Sequence, residues 1–322
     1  MLWAKTMSSA ASPSLDSSAP FLTRLISVAD SLAADSAESA RLCAELESGN
    51  ILYFPRTPFP FPAEDREFLL GLEQSDAAFH KNVSYRPGED RVGGLAKADP
   101  FRMERLRSIL RNYSQRTAGF VKNLLAPYGG HTRLDLASFR PLEERGRSAR
   151  LHARNDLPHV DAFPTRPTNG DRILRLFTNI HPSRNRVWAT SLTFEGLAPQ
   201  FVPLIGTPRP QSSGFFASFG RSVASAIRLP SARRSPYDRF MHRCHNAMKE
   251  NQAFQENCPR QRWEFPPNST WMAMTDFVSH AVLEGQYALE QTFLISHNAM
   301  LRPEISPLGI LERLAGGRLT RR

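Results

Sequence analysis

Apolar positions Phe21, Leu22, Leu25, Ile26, Ala29 and Leu32 fall at helical spacing, and the pattern resumes at Leu42 and Leu46, so the periodicity predicts a helix through this segment. Gly49 and Asn50 close it, and the apolar run from Ile51 to Phe54 ahead of Pro55 predicts a strand. Asp99-Pro100 reads as a cap followed by a first-turn proline. It opens a second long helix with Met103, Leu106, Leu110, Tyr113, Phe120, Leu124 and Leu125 on or near one face, stopped by Gly129-Gly130. Beyond that point the pattern turns β-rich, with strands predicted at 134–139, 173–180, 187–194, 270–275 and 287–295. Among these strands, Ser235-Pro236 opens a helix whose Tyr237, Phe240, Met241, Cys244 and Met248 form one apolar stripe.

Composition narrows the class without changing that picture. The chain has 322 residues, enough to bury a sizeable core without staples, and 25 prolines against 18 glycines disfavour a helical bundle. The cysteines are Cys43, Cys244 and Cys258, an odd number without C-x-x-C spacing, which predicts reduced thiols and a cytoplasmic protein. No run approaches the roughly 18 apolar residues of a membrane span. The Ser/Ala-rich residues 1–20 lack the apolar core of a signal peptide and read as a disordered leader.

Charge is unevenly placed. The formal net charge is +10; residues 221–262 carry nine Lys/Arg against three Asp/Glu, and residues 313–322 carry four Arg and no acid, so these two segments hold the whole excess. The pattern is a neutral domain with a basic insert and a basic tail at 303–322. Such patches attract phosphates of nucleic acid or of anionic lipid, or serve only as a solvated face.

The chemistry-bearing motif is Leu157-Pro158-His159-Val160-Asp161. An imidazole and a carboxylate two residues apart lie on the same side of an extended strand. A metal held by such a pair needs a third ligand, and non-haem Fe(II) oxygenases take a second His from a distant strand. His280, in Thr275-Asp-Phe-Val-Ser-His280 and 119 residues beyond Asp161, follows a strand and fits that position.

The stretches from Pro158 through Arg172-Ile-Leu-Arg-Leu-Phe-Thr-Asn-Ile180, from Thr270 to His280, and Gly285-Gln-Tyr-Ala-Leu-Glu-Gln-Thr-Phe293 resemble the metal-binding half of a 2-oxoglutarate-dependent dioxygenase, and more specifically the Kdo (3-deoxy-D-manno-oct-2-ulosonic acid) hydroxylase family. The resemblance runs over roughly residues 40–300. It implies an α+β fold with a double-stranded β-helix (jelly-roll) core, buttressed by N-terminal helices over 21–130 and carrying a basic helical insert near 205–262, all in one domain spanning 21–302. It implies that His159, Asp161 and His280 bind Fe(II), that 2-oxoglutarate is the cosubstrate with ascorbate as reductant in vitro, and that C3 of Kdo in lipopolysaccharide is hydroxylated.

One departure from the family pattern concerns the cosubstrate. Many such oxygenases grip its distal carboxylate with Arg or Lys about ten residues after the second His, and Glu284–Phe293 has neither. Arg175, sharing a strand face with Phe177 and Asn179, is the expected anchor, with Asn179 and Gln291 as further cosubstrate contacts; Arg172, on the opposite face, is expected at the surface or in a structural role. Arg154 and Asn155, beside His152 upstream of the ligands, are expected at the substrate entrance.

The implied substrate, Kdo-lipid A or core lipopolysaccharide, gives the basic segments a purpose. Arg233, Arg234 and Arg239 with Arg321-Arg322 are expected to dock on an anionic membrane surface, the cytoplasmic face of the inner membrane, and no nucleic acid is expected. His242, His245, Cys244 and Cys258 do not converge as a zinc site on a helix. His80, His131, His152, His181 and His297 read as surface or hydrogen-bonded residues, and Trp188 and Trp271 as core. Two rival readings stay open: the same chemistry on a protein side chain or alkylated nucleic acid, and a non-catalytic anion-binding β-sandwich.

Overall fold

The protein is described from a computed structural model, which covers residues 21–29, 35–72, 79–95, 99–210 and 234–321. Among the described residues, eleven strands and seven α-helices follow in chain order: β1 Leu25–Ser27, α1 Ser36–Glu47, β2 Ile51–Phe54, α2 Ala63–Leu70, β3 Phe79–Arg86, β4 Arg91–Leu95, α3 Pro100–Leu124, β5 Thr132–Arg140, β6 Arg172–Asn179, β7 Arg186–Thr193, α4 Phe194–Ile205, α5 Pro236–Glu250, α6 Gln252–Asn257, β8 Gln261–Phe265, β9 Thr270–Met274, β10 Val278–Glu284, β11 Ala288–Ile295 and α7 Pro307–Ala315. A large sheet has the order β1-β2-β9-β6-β11-β5-β3-β4, and a small one β10-β7-β8. None of the described helices is long and apolar enough to cross a membrane.

Period-two alternation divides the large sheet into two faces. Leu174 and Leu176 of β6, Met272 and Met274 of β9, Leu289 and Phe293 of β11, and Ala137 and Phe139 of β5 join a main core with α1 and α3. On the other face Phe177 and Trp271 meet Trp188 of β7 and Phe265 at the end of β8, closing the space between the two sheets with aromatic rings. The same face also carries polar side chains, Arg175, Glu290, Thr292 and Arg140. Buried charge on a sheet face marks the site rather than the core.

Helix α3 starts where the sequence predicts, with the Asp99 side chain accepting from Arg102 N, and its buried stripe runs from Leu106 to Leu124. Helix α5 starts at Ser235 in a capping box with Asp238, and Tyr237, Phe240, Met241, Cys244 and Met248 are all buried. Gly49 has φ +87°, and a Cβ there would lie 2.7 Å from Thr193 Cγ2, so the turn into β2 admits only glycine without displacement.

Several expectations are corrected. Residues 25–27 form a strand, not a helix: β1 pairs in parallel with β2, and Asn50 accepts from Arg24 N. Edge pairing outweighs the helical spacing of the apolar residues, and among the described residues of this segment the helix spans 36–47; Leu32 lies outside the described residues. Besides helices α1 to α3, the segment 21–130 also gives β1 to β4 to the large sheet. Helix α4, which contains Pro199 and Pro203, and strands β3, β4, β8 and β10 were not anticipated. In the basic tail, α7 and the segment after it bury Leu308, Ile310, Leu311 and Leu319 against the main core. The basic positions of 211–233, Arg233 among them, and Arg322 lie outside the described residues.

Candidate metal centre and active site

His159 stands opposite His280 in an isolated antiparallel bridge, with His159 N donating to His280 O at 3.1 Å and His280 N to His159 O at 2.9 Å. Directly opposed residues of an antiparallel pair project to the same side, and the two ring centroids are 4.8 Å apart. Asp161, two residues on, is fixed by its own N–H to Thr275 O at 2.8 Å. The tertiary fold thus brings His159, Asp161 and His280 together, all buried, with their ligand atoms within 4.8 Å of one another. His280 follows β9 and sits on β10 itself, and the β10–β7 register shifts between Val278 and His280, which sets its aim.

The backbone selects the tautomers. His159 Nδ1 lies 2.8 Å from Leu157 O and His280 Nδ1 lies 3.0 Å from Val278 O. A carbonyl oxygen only accepts, so Nδ1 carries the proton on each ring and Nε2 presents a lone pair. These Nε2 atoms lie 3.8 and 3.9 Å from Asp161 oxygens. Burial pushes both imidazoles below the usual histidine range, reinforced at His159 by His280 and Lys249 and opposed at His280 by the Asp161 carboxylate, so both are neutral as a metal requires. Burial opposes ionisation of Asp161, but the Arg175 guanidinium overrides it and holds the carboxyl far below its ordinary range. Asp161 Oδ2 is 3.1 Å from Arg175 Nε without hydrogen-bond alignment and has no hydrogen-bond donor. Two neutral imidazoles, one carboxylate and a buried oxygen free to coordinate fit a divalent first-row metal bound on one face.

These groups border a cavity of about 210 Å³ lined also by Asn82, Arg140, Asn155, Phe163, Lys249 and His245. Arg175 Nη1 lies 3.1 Å from Glu290 Oε1, and Arg140 Nε donates to Glu290 Oε2 at 2.7 Å. Arg186 and Arg140 also face Glu144, at 3.8 and 3.9 Å. Phe163 lies under Arg175, 5.5 Å from its guanidinium carbon. Trp188 is core, 1% exposed, yet stacks on His280 with 5.3 Å between centroids and forms part of the cavity wall.

Not every expected residue reaches the cavity. Asn179 shares the Arg175 face but sits at the strand end, where its amide donates to Arg184 O and Phe265 O, both at 2.9 Å, and accepts from His181 N. Gln291 points to the helix-packed face, because alternation on β11 turns Glu290 and Thr292 inward instead, and its amide donates to Thr292 O and toward β5. Arg154 pairs with Asp156 at 3.0 Å away from the cavity, whereas Asn155 borders it and donates to Glu144. Arg172 is fully buried, not at the surface, and donates to Asp276 Oδ2 at 2.8 Å.

Sequence reasoning missed Arg140, Glu290, Asn82, Phe163, His245 and Lys249. Glu290 was detectable as a charge inside an otherwise apolar strand, and His245 and Lys249 share a helix face at i and i+4 beside the apolar stripe. His245 does not turn toward a zinc cluster: its Nδ1 lies 2.8 Å from Val160 O and its ring meets His159 edge-on at 4.9 Å. Burial pushes His245 down to about 4.

Three neighbouring histidines held neutral fix the sign of a pH effect. In the unfolded chain histidine takes up its proton near about 6.5. Their contribution to the metal-free protein is therefore complete above that pH and is lost as pH falls toward their depressed folded-state values, at up to about 1.4 kcal/mol per pH unit for each. The lowered Asp161 and Glu290 carboxyls act in the same direction at lower pH. The melting temperature of metal-free protein should fall steadily from about pH 7 to about pH 5; a flat profile would contradict burial of neutral imidazoles.

Comparison with known proteins gives this geometry a family. No curated protein matches the chain significantly, but residues 30–318 match the family described as 3-deoxy-D-manno-oct-2-ulosonic acid (Kdo) hydroxylase. Among solved structures, the chain is similar to the Kdo hydroxylase KdoO, a non-heme Fe(II) alphaketoglutarate dependent dioxygenase, in complex with alphaketoglutarate and Fe(III): 31% identity, 92% of this chain and 97% of that one, TM-score 0.79. The apo structure of KdoO aligns at 32% identity with the same coverages and TM-score 0.79, and its complex with succinate and Fe(III) at 32% identity with the same coverages and TM-score 0.78. With a matched span that includes every strand of the two sheets except β1, and all three convergent ligands, the chain belongs to the Kdo hydroxylase family.

Proposed function

We propose that the protein is an Fe(II)- and 2-oxoglutarate-dependent dioxygenase that hydroxylates C3 of Kdo in the inner core of lipopolysaccharide, releasing succinate and CO2. The observation that carries this reading is the buried His159–Asp161–His280 face, whose two Nε2 atoms and one unshared carboxylate oxygen converge at the edge of a cavity. In this reading the two sheets are the walls of a double-stranded β-helix, and the three residues hold Fe(II) at its mouth. Bound iron, 2-oxoglutarate and O2 supply the oxidation of the substrate C–H bond. The chain supplies everything else.

Arg175 is the anchor for the distal carboxylate of 2-oxoglutarate, with Arg140 beside it; Glu290 between them keeps both guanidiniums aimed inward. Guanidinium forks suit a carboxylate, and the aromatic walls of Phe177 and Trp188 exclude water from the reacting carbon. The substrate is Kdo-lipid A or core lipopolysaccharide, reached from an anionic membrane surface by the basic residues that include Arg234, Arg239 and Arg321. Salt-reversible sedimentation with anionic vesicles tests that attachment.

The decisive experiment is mass spectrometry of Kdo-lipid A incubated aerobically with protein, Fe(II), ascorbate and 2-oxoglutarate. A one-oxygen gain that requires 2-oxoglutarate is expected; succinate release without that gain would remove Kdo as acceptor, and neither product would remove the oxygenase reading. In the same assay Arg175→Leu should raise the KM for 2-oxoglutarate by about 100-fold or more, the scale for losing a buried charged hydrogen-bond partner. An unchanged KM would move the anchor elsewhere.

A further inference from the structure

Charge accounting on the cavity leaves one cation over. On the inner face, Arg140, Arg175 and Arg186 are balanced by Glu144, Glu290 and Asp161. Fe(II) and a 2-oxoglutarate dianion, if bound as proposed above, cancel each other. Lys249 remains. It lies in the last turn of α5, only 4% exposed, and lines the cavity with His159, Asp161 and His280. Its Nζ donates to His152 O at 3.0 Å and to Arg154 O at 2.7 Å. An ammonium has three donors, so one stays unspent, and among the described residues no carboxylate lies within ion-pair distance of it. Burial lowers its pKa to about 8, so it is still mostly charged at neutral pH.

A buried, fixed cation that feels Asp161 and Asp156 only from beyond ion-pair distance is costly to keep unless a ligand brings the opposite charge closer. The carbonyl pair that holds Nζ belongs to the loop just before His159, so the ammonium is positioned by the chain segment that carries the first metal ligand. We propose that Lys249 is the specificity residue of the site, binding the carboxylate of the sugar-acid substrate and so presenting C3, two bonds from the carboxylate carbon, to the metal centre. This rests on the reading of the substrate given above. In a 2-keto-3-deoxy sugar acid the carboxylate carbon is bonded to C2 and C2 to C3, so the group that fixes the carboxylate must stand close to the metal ligands. Lys249 does: it is one helical turn from His245, whose ring touches His159. Asn82, with a buried Oδ1 that has no hydrogen-bond partner, faces the same cavity and suits a sugar hydroxyl.

The test compares lipid A bearing one Kdo with the same compound as its Kdo methyl ester, which keeps the shape and removes the charge. Wild-type protein should prefer the acid by about 100-fold in kcat/KM, and Lys249→Met should lose that preference while Lys249→Arg keeps part of it. A merely structural role for Lys249 would lower turnover of acid and ester alike and leave their ratio intact, which would overturn the inference. So would a Lys249→Met variant whose KM for 2-oxoglutarate, rather than for the acid, rises steeply. Wild-type protein hydroxylating acid and ester equally would refute the role of Lys249 alone, whereas succinate release with no hydroxylation of the acid would refute the substrate reading and this inference with it.

Discussion

Asp161→Ala is expected to abolish metal-dependent turnover and to weaken binding of Fe(II), or of Co(II) used as a spectroscopic probe, by well over 100-fold. Removing partners of a ligand from outside the coordination sphere costs about 10–100-fold, and Asp161 is itself the one anion of the three convergent groups. The same substitution takes away a counter-charge 3.1 Å from Arg175, leaving that guanidinium to Glu290 alone. Metal titration separates the two consequences, since the fold is held mainly by the two packed faces of the large sheet. A variant that bound Co(II) as tightly as wild type would exclude Asp161 from the metal site. His159→Ala and His280→Ala should lose metal similarly, and their metal-free forms should melt lower than wild type above about pH 6.5, because each loses a buried ring's packing and its Nδ1 bond.

The largest stability loss is expected at a position with no part in chemistry. Arg172, at the start of β6, donates from Nε to Asp276 in the turn between β9 and β10, and both side chains are almost completely buried. Deleting one member of such a pair leaves an uncompensated buried charge, at about 3–5 kcal/mol. Asp276→Ala should therefore lower the melting temperature by on the order of 10 °C. The double variant Arg172→Met with Asp276→Leu should recover much of that loss, since two apolar side chains leave no charge unpaired. The turn matters for the site as well, because Thr275 O holds Asp161 N and Thr275 N donates to Ile173 O. Asp276→Ala should thus also weaken metal binding, although Asp276 touches none of the ligands. If the single variant melted like wild type, the pair would have no structural weight.

Both predictions concern residues that the sequence brought into view to different degrees. His159 and Asp161 were legible because a two-residue spacing on an extended segment has one geometric outcome. Arg175 was legible because alternation from Asp161's neighbouring strand put it on the inward face with Phe177. The same alternation was extended too far at Asn179, where the strand ends and the amide is spent on carbonyls of Arg184 and Phe265. Gln291 was misplaced because nothing local fixes which face of β11 turns inward; pairing to β5 and β6 on either side does. The early strand at 25–27 was hidden by a helical spacing of apolar residues that also suits an edge strand beside β2.

The sequence by itself determined the character of the elements: the start of α3 at Asp99-Pro100, the capped α5 with its buried stripe, the β-rich second half, and a histidine and carboxylate on one side of an extended segment. Caps, periodicity and proline act over a few residues, so their consequences can be read locally. Only the tertiary structure decided that His280 faces His159 across an antiparallel bridge, that Glu290 stands between Arg140 and Arg175, and that α5 brings His245 and Lys249 to the cavity wall. Those juxtapositions join residues about 90 to 150 positions apart. They depend on strand order and register, which are set by how two sheets and their covering helices bury apolar surface together, and no local pattern specifies them.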